Sequence, residues 1–234
     1  MANVFVEENS LQDIADAIRK SNGGDEKYLP SEMASAIQKL DMLKHVVTAR
    51  GLFANVVFPE DMLDITVNLL NLKSSEANNM NATFSNSNVR SVRIFIPSGV
   101  VVNSWGLFLS SKNIEYVEFI NGFTTNNVAN MFNSAMNIKK IIGEMDVSQC
   151  TTLANMFPGI SLLEEVYFVP FTIKYDLHLA NAKLLKDESV KSIISGLADL
   201  TGQTAQILTL HADVKAKLTD EQVATITDKN WTLA

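Results

Sequence analysis

The chain has 234 residues, 47% of them hydrophobic and 19% charged, with a formal net charge of -7. That share of apolar side chain can offset the entropy of ordering, which excludes a largely disordered protein. Lys and Arg stand singly or in pairs such as Arg19-Lys20 and Lys139-Lys140, which excludes a broad phosphate-binding face, so no nucleic-acid partner is expected.

Residues 1–42 read as a helical hairpin. Ser10 serves as an N-cap, Leu11, Ile14, Ala15 and Ile18 share one face, and Gly23-Gly24 ends the run. Pro30-Ser31-Glu32 starts a second helix whose face carries Met33, Ala34, Ile37 and Leu40. The opening lacks a basic start and an apolar run, and nowhere do about 18 apolar residues follow one another, so neither export nor membrane insertion is expected. The single cysteine, Cys150, cannot form an internal disulfide, which makes assembly in a reducing compartment the expectation.

Residues 43–80 form a strand-rich segment, with HVVTARGLFANVVF and MLDITVNLLNL, followed by the Asn-rich loop KSSEANNMNATFSNSN. From 81 to 172 a fixed period governs the chain. Phe84, Phe108, Phe132 and Phe157 recur at separations of 24, 24 and 25 residues. After each Phe comes an aliphatic residue, Val89, Ile114, Ile138 or Leu163, and three positions later another, Val92, Val117, Ile141 or Val166. Each second aliphatic opens or lies in a short strand-like run, VRIFIP, VEFING, IIGEM and VYFVP. Such a period predicts stacked coils with parallel strands, in which these eleven Phe and aliphatic positions from Phe84 onward, Val89 aside, form an internal ladder. Met131-Phe132 and Met156-Phe157 are then core residues rather than a ligand box, and Asn130 and Asn155 are expected in buried turns with their amides on neighbouring coils.

Residues 173–234 read as a terminal cap. KDESVKSIISGLADL is an amphipathic helix with Val190, Ile193, Ile194 and Leu197 on one side, QILTLH a strand, and Thr219 the cap of a later helix ahead of a last strand near Trp231. The expected class is therefore α+β: an N-terminal helical hairpin, a short leucine-rich-repeat-like solenoid and a C-terminal α/β cap.

Nothing in the pattern points to catalysis, a metal or a cofactor. His45, His178 and His211 are isolated, and Cys150 has no nucleophile motif around it. The acidic pairs Glu60-Asp61, Glu164-Glu165 and Asp220-Glu221 have structural explanations as a turn or helix start after Pro59, a solvent-facing pair between ladder residues and a helix first turn. The contact candidates are instead polar residues outside the ladder: Arg93, Glu115, Tyr116, Glu118, Lys139 and Glu144.

The segments VANMFNSAMNIKKI and LANMFPGISLLEEV resemble the BspA-like leucine-rich repeat, whose coils carry a Met-Phe pair followed by Leu and a short strand. EENSLQDIADAIRKSNGGDEKYLPSEMASAIQKL resembles a hairpin module of phage structural proteins of Gram-positive hosts, and LTLHADVKAKLTDEQVATITDKNWTLA the closing segment of phage-encoded repeat proteins of that kind. The resemblance implies a non-enzymatic virion protein of the tail, baseplate or a fibre. It would be assembled in the host cytoplasm and would dock to other virion proteins through the hairpin. Its solenoid would be presented to a host-surface glycan or protein, in several copies per particle. A head-decoration or scaffolding protein and a bacterial surface adhesin are the alternatives.

Overall fold

In the structure, a computed structural model, residues 46–48, 63–68 and 78–234 are described; the helical hairpin expected over 1–42 lies outside them. The Phe series marks a tight turn whose backbone is written into the residues around it. Five positions before each Phe stands a short polar side chain that accepts a hydrogen bond from the N–H two residues on: Asn79 from Asn81 at 3.0 Å, Asn103 from Trp105 at 3.2 Å, Asn127 from Ala129 at 3.1 Å and Thr152 from Ala154 at 3.1 Å. Two positions before and two after each Phe the backbone turns left-handed, at Ala82 and Asn86, Gly106 and Ser110, Asn130 and Ser134, Asn155 and Gly159, with φ between 51° and 74°. Gly, Asn and small residues fill these sites because a bulky side chain there meets its own carbonyl.

Alternate N–H groups of the turn bond within the coil and to the next coil. Phe84 donates to the Leu107 carbonyl at 2.9 Å, Phe108 to Met131 at 2.8 Å and Phe132 to Met156 at 3.1 Å. The rings stack accordingly, with centroids 5.2, 5.2 and 5.6 Å apart and planes within 10° of parallel. The expected placement of Asn130 and Asn155 is corrected: Asn155 is exposed, and Asn130 accepts from Asn133 of its own turn at 3.0 Å. Their task is to adopt the left-handed conformation at low cost, while main-chain groups join the coils.

In chain order the elements are β1 (Val46–Thr48), β2 (Asp64–Asn68), β3 (Asn78–Asn79), β4 (Ser91–Phe95), β5 (Val101–Asn103), β6 (Tyr116–Ile120), β7 (Phe123–Asn127), β8 (Lys140–Asp146), β9 (Glu165–Phe168), β10 (Leu177–Leu179), α1 (Asp187–Gly196), β11 (Gln206–Leu210), α2 (Ala212–Lys215), α3 (Asp220–Asp228) and β12 (Trp231–Leu233). The protein is mixed α/β, dominated by a curled parallel sheet. Among the described residues that sheet has nine strands, ordered β1-β2-β4-β6-β8-β7-β5-β3 with β9 added on β8. Its register sets Ile65 beside Val92, Val92 beside Val117 and Val117 beside Ile141, all buried. The parallel stack therefore begins before residue 81, in the segment the sequence sets apart as preceding the repeats.

The curl comes from a corner that shortens along the stack. Residues 96–100 separate β4 from β5, Asn121-Gly122 separate β6 from β7, and in β8 a single strand spans both arms. Its first half pairs with β6 through Lys140 to Ile142 and its second with β7 through Met145 and Asp146. Gly143 makes the bend at φ 93°, where a Cβ would run into the Phe119 carbonyl, so no other residue fits.

An open parallel edge exposes unpaired N–H groups, and at β9 helix α1 covers it. Ser189 Oγ accepts from Val166 N and Ser192 Oγ from Phe168 N, both at 3.0 Å. Serines three apart on one helix face thus replace the missing strand. Gly196 lets the helix end approach closely, since a Cβ there would lie 2.9 Å from Ile173 and 3.0 Å from Phe168. Lys229 Nζ caps the far end of α1, donating to the carbonyls of Ile194 at 3.0 Å and Leu197 at 2.9 Å. It also sits 4.7 Å above the Phe171 ring, and burial draws its pKa down. The strands β10, β11 and β12 make a separate parallel sheet, and Thr219 and Gln222 form a capping box at α3. All the described residues fall within one unit, Val46–Ala234.

Candidate functional site

Residues alternate along a strand, so the polar partners of the buried ladder line the sheet's outer face in rows, and the residue just before each strand, outside that alternation, adds a further row. The first row passes through Arg90, Glu115, Lys139, Glu164 and Lys186, each N–H donating to the carbonyl of the residue before it in the row at 2.8 to 2.9 Å. Signs alternate along it. Lys139 meets Glu115 at 2.9 Å and Lys186 meets Glu164 at 3.4 Å, while Arg90 reaches Asp64 at 3.0 Å. The second row sets Ser91, Tyr116, Lys140 and Glu165 side by side, and in the third Arg93 meets Glu118 at 3.1 Å.

Glu165 is the electrostatic centre. Lys186 at 2.6 Å and Lys140 at 3.0 Å both bind its carboxylate, whose side chain is only 15% exposed. Those hydrogen bonds, Lys186 first, draw its pKa from 4.5 to about 2. Tyr116 donates to Glu118 at 3.0 Å and Tyr167 to Glu165 at 3.3 Å. Burial, and then the neighbouring carboxylate, push both phenols above their ordinary value, so they stay neutral donors. Asp64, Glu115, Glu118, Glu164 and Glu165 thus face Arg90, Arg93, Lys139, Lys140 and Lys186. The face is a charge-balanced plate whose polar groups hold one another.

Of the sequence-derived contact residues, Arg93, Glu115, Tyr116, Glu118 and Lys139 share this network. Glu144 makes none of these ion pairs; it stands beside Tyr167 in the register of β8 and β9 and lines a corner cleft of about 200 Å³ with Pro97, Ser98, Asn121, Gly122 and Asp146. The pair Glu164-Glu165, expected simply to face solvent, is corrected, because Glu165 is the most enclosed acid of the plate. Arg90, Lys140, Glu164, Glu165, Lys186 and Tyr167 belong to the same plate, although the sequence does not single them out as contact candidates. For most of them the signal was the repeat period: Arg90, Glu115, Lys139 and Glu164 are 25, 24 and 25 residues apart. The ladder residues Phe84, Phe108, Phe132, Ile114, Ile138, Leu163, Val92, Val117, Ile141 and Val166 have no exposed surface, and Phe157 has 4%.

The remaining titratable candidates are occupied structurally. His178 Nδ1 shares a hydrogen bond of 3.1 Å with Thr209 Oγ1, and His211 Nδ1 accepts from Asp213 N at 3.1 Å ahead of α2. Burial pushes the Cys150 thiol up to about 12, and its Sγ lies 3.4 Å from the Thr125 carbonyl. Asp220 and Glu221 occupy the first turn of α3. His45 and Glu60-Asp61 lie outside the described residues. Among the described residues no three His, Cys, Asp or Glu gather as a metal site, and no helix is long and apolar enough to cross a membrane. Compared with known protein families, curated proteins and solved structures, the chain matches none.

Proposed function

We propose that the chain is a non-enzymatic structural protein of a phage particle, in the tail, baseplate or a fibre, that presents its stacked coils for attachment to the host surface. The resemblance of VANMFNSAMNIKKI and LANMFPGISLLEEV to BspA-like repeats suggests the setting. The observation that carries the reading is the plate itself: strands held in register by buried aliphatics display polar rows at fixed spacing on a rigid surface. Rigid display lowers the ordering cost of binding, and several copies on a particle would multiply weak contacts. Residues 1–42 would dock the chain to other virion proteins.

One observation favours a second reading, head decoration or assembly without host contact. The charges of the plate already have partners within the chain, which suits a protein whose surface is meant to be inert. Gold labelling of whole particles with an antibody to the chain places it, with label at the tail tip expected. Sedimentation of the purified chain, clustered on beads, with host cell walls decides between the readings. Co-sedimentation is expected for attachment, and its absence at high bead valency sinks that reading in favour of assembly.

A further inference from the structure

Away from the plate, a cleft of about 680 Å³ opens where Lys174 and Tyr175 face the loop Ala198–Gln206. We infer that this cleft binds a short, uncharged saccharide stacked on the Tyr175 ring, which deepens the attachment reading by naming a ligand class for it.

Two independent observations carry this. The first is the rigidity of an exposed loop. Asp199 Oδ1 accepts from Thr201 N at 2.9 Å and from Thr201 Oγ1 at 2.6 Å. Asn230 Nδ2 donates to the carbonyls of Leu200 at 3.1 Å and Gln203 at 2.9 Å. The two walls are clamped to each other, since Gln206 Oε1 accepts from Asp176 N at 3.1 Å while Asp176 Oδ1 accepts from Ile207 N at 2.7 Å. Surface loops are ordinarily the least restrained part of a fold, and here one is fixed at both ends and through its middle.

The second observation is what the rigid walls leave unused. Tyr175 is 37% exposed, and neither its hydroxyl nor the side chains of Gln203 and Thr204 bond to anything in the described protein. The clamp uses only the oxygen of the Gln206 amide, so its NH₂ remains available. An aromatic plate beside an amide, a hydroxyl and an amide NH₂ matches a ligand with one C–H face and a rim of hydroxyls, which is a pyranose. A phosphate-bearing ligand fits poorly: the one lysine at the cleft donates to the Ser148 carbonyl at 3.1 Å, and Asp199 adds a negative charge. An extended peptide would need an open strand edge instead.

The test is saturation-transfer NMR on the full chain with cellotriose, maltotriose, N,N′,N″-triacetylchitotriose and a rhamnose trisaccharide, each at roughly 10 mM to detect the weak binding typical of a small neutral ligand. At least one is expected to bind, with Tyr175→Ala weakening it at least about tenfold, as loss of an aromatic anchor does. Gln203→Ala should weaken it less, and melting should be unchanged for both. Thr204→Arg, which fills the cleft without touching the core, guards against a folding defect at Tyr175 and should also abolish binding. No signal from any trisaccharide, or binding that survives unchanged in either Tyr175→Ala or Thr204→Arg, overturns the cleft. Wall sedimentation run in parallel keeps the two ideas apart. Walls that still bind a cleft-blocked chain leave attachment standing and remove the cleft from it, whereas trisaccharide binding without wall binding overturns attachment alone.

Discussion

The Phe column inside the coils and the charged rows outside them obey the same period, yet different forces hold them. Phe84, Phe108, Phe132 and Phe157 are almost fully removed from water and stack ring on ring, so each contributes through burial and dispersion. Arg90, Glu115, Lys139 and Glu164 stand at matching intervals but remain in contact with solvent, where water screens their attraction. Periodicity decides where a residue goes. Burial decides how much it matters.

Four measurements test this contrast. The largest effect is expected for Phe132→Ala, which opens a cavity between two aromatic neighbours and should cost about 3 to 5 kcal/mol in urea denaturation. A loss in the range of a surface substitution would mean the column is not the core. Next comes Ser189→Ala, which strips the buried Val166 N–H of its acceptor and should cost about 1 to 3 kcal/mol. Hydrogen exchange at Val166 should accelerate along with it, and unchanged exchange would show that α1 does not close the sheet edge.

Glu165 lies between the two classes, being a plate residue that is largely enclosed. Its folded pKa is depressed, so its contribution is present in full above the unfolded value of 4.5 and is lost as pH falls from there towards about 2. Discounted for its two half-exposed lysine partners, the loss should be about 1 to 2 kcal/mol. Urea midpoints at successively lower pH should reveal that slope, and Glu165→Gln should flatten it; equal slopes in both proteins would remove Glu165 from the account. The smallest effect is expected for Lys139→Met, which breaks the pair with Glu115 for less than about 1 kcal/mol. Molar salt should shrink even that difference, and a salt-independent loss would indicate packing by the lysine stem.

Much of this was legible in the residues because it depends on local chemistry and repetition. The Phe interval locates the turns, the face formed by Val190, Ile193 and Ile194 locates α1, and Thr219 with Gln222 marks the start of α3. The same interval also carried the short polar residue five positions before each Phe, Asn in three coils and Thr152 in the last, and the alternating charges from Arg90 to Glu164. Neither pattern is distinctive in the sequence, because a polar residue in a repeat looks like ordinary surface until its neighbour in the next coil is known.

The residues alone therefore establish the period and the buried column, since both follow from side-chain size, polarity and spacing along the chain, while the left-handed task of Asn130 and Asn155 emerges only from the folded backbone. The remaining features involve partners far apart in that chain. Gly143 lets β8 serve both arms because the Phe119 carbonyl lies against it. Ser189 and Ser192 matter because β9 ends the sheet beside them. Glu165 gathers one lysine from a coil, Lys140, and one from the start of α1, Lys186, and the Tyr175 cleft exists because Asp176 and Gln206 clamp its walls across 30 residues of chain. In each case the contact depends on how coils and cap settle against one another, which no single stretch of sequence encodes.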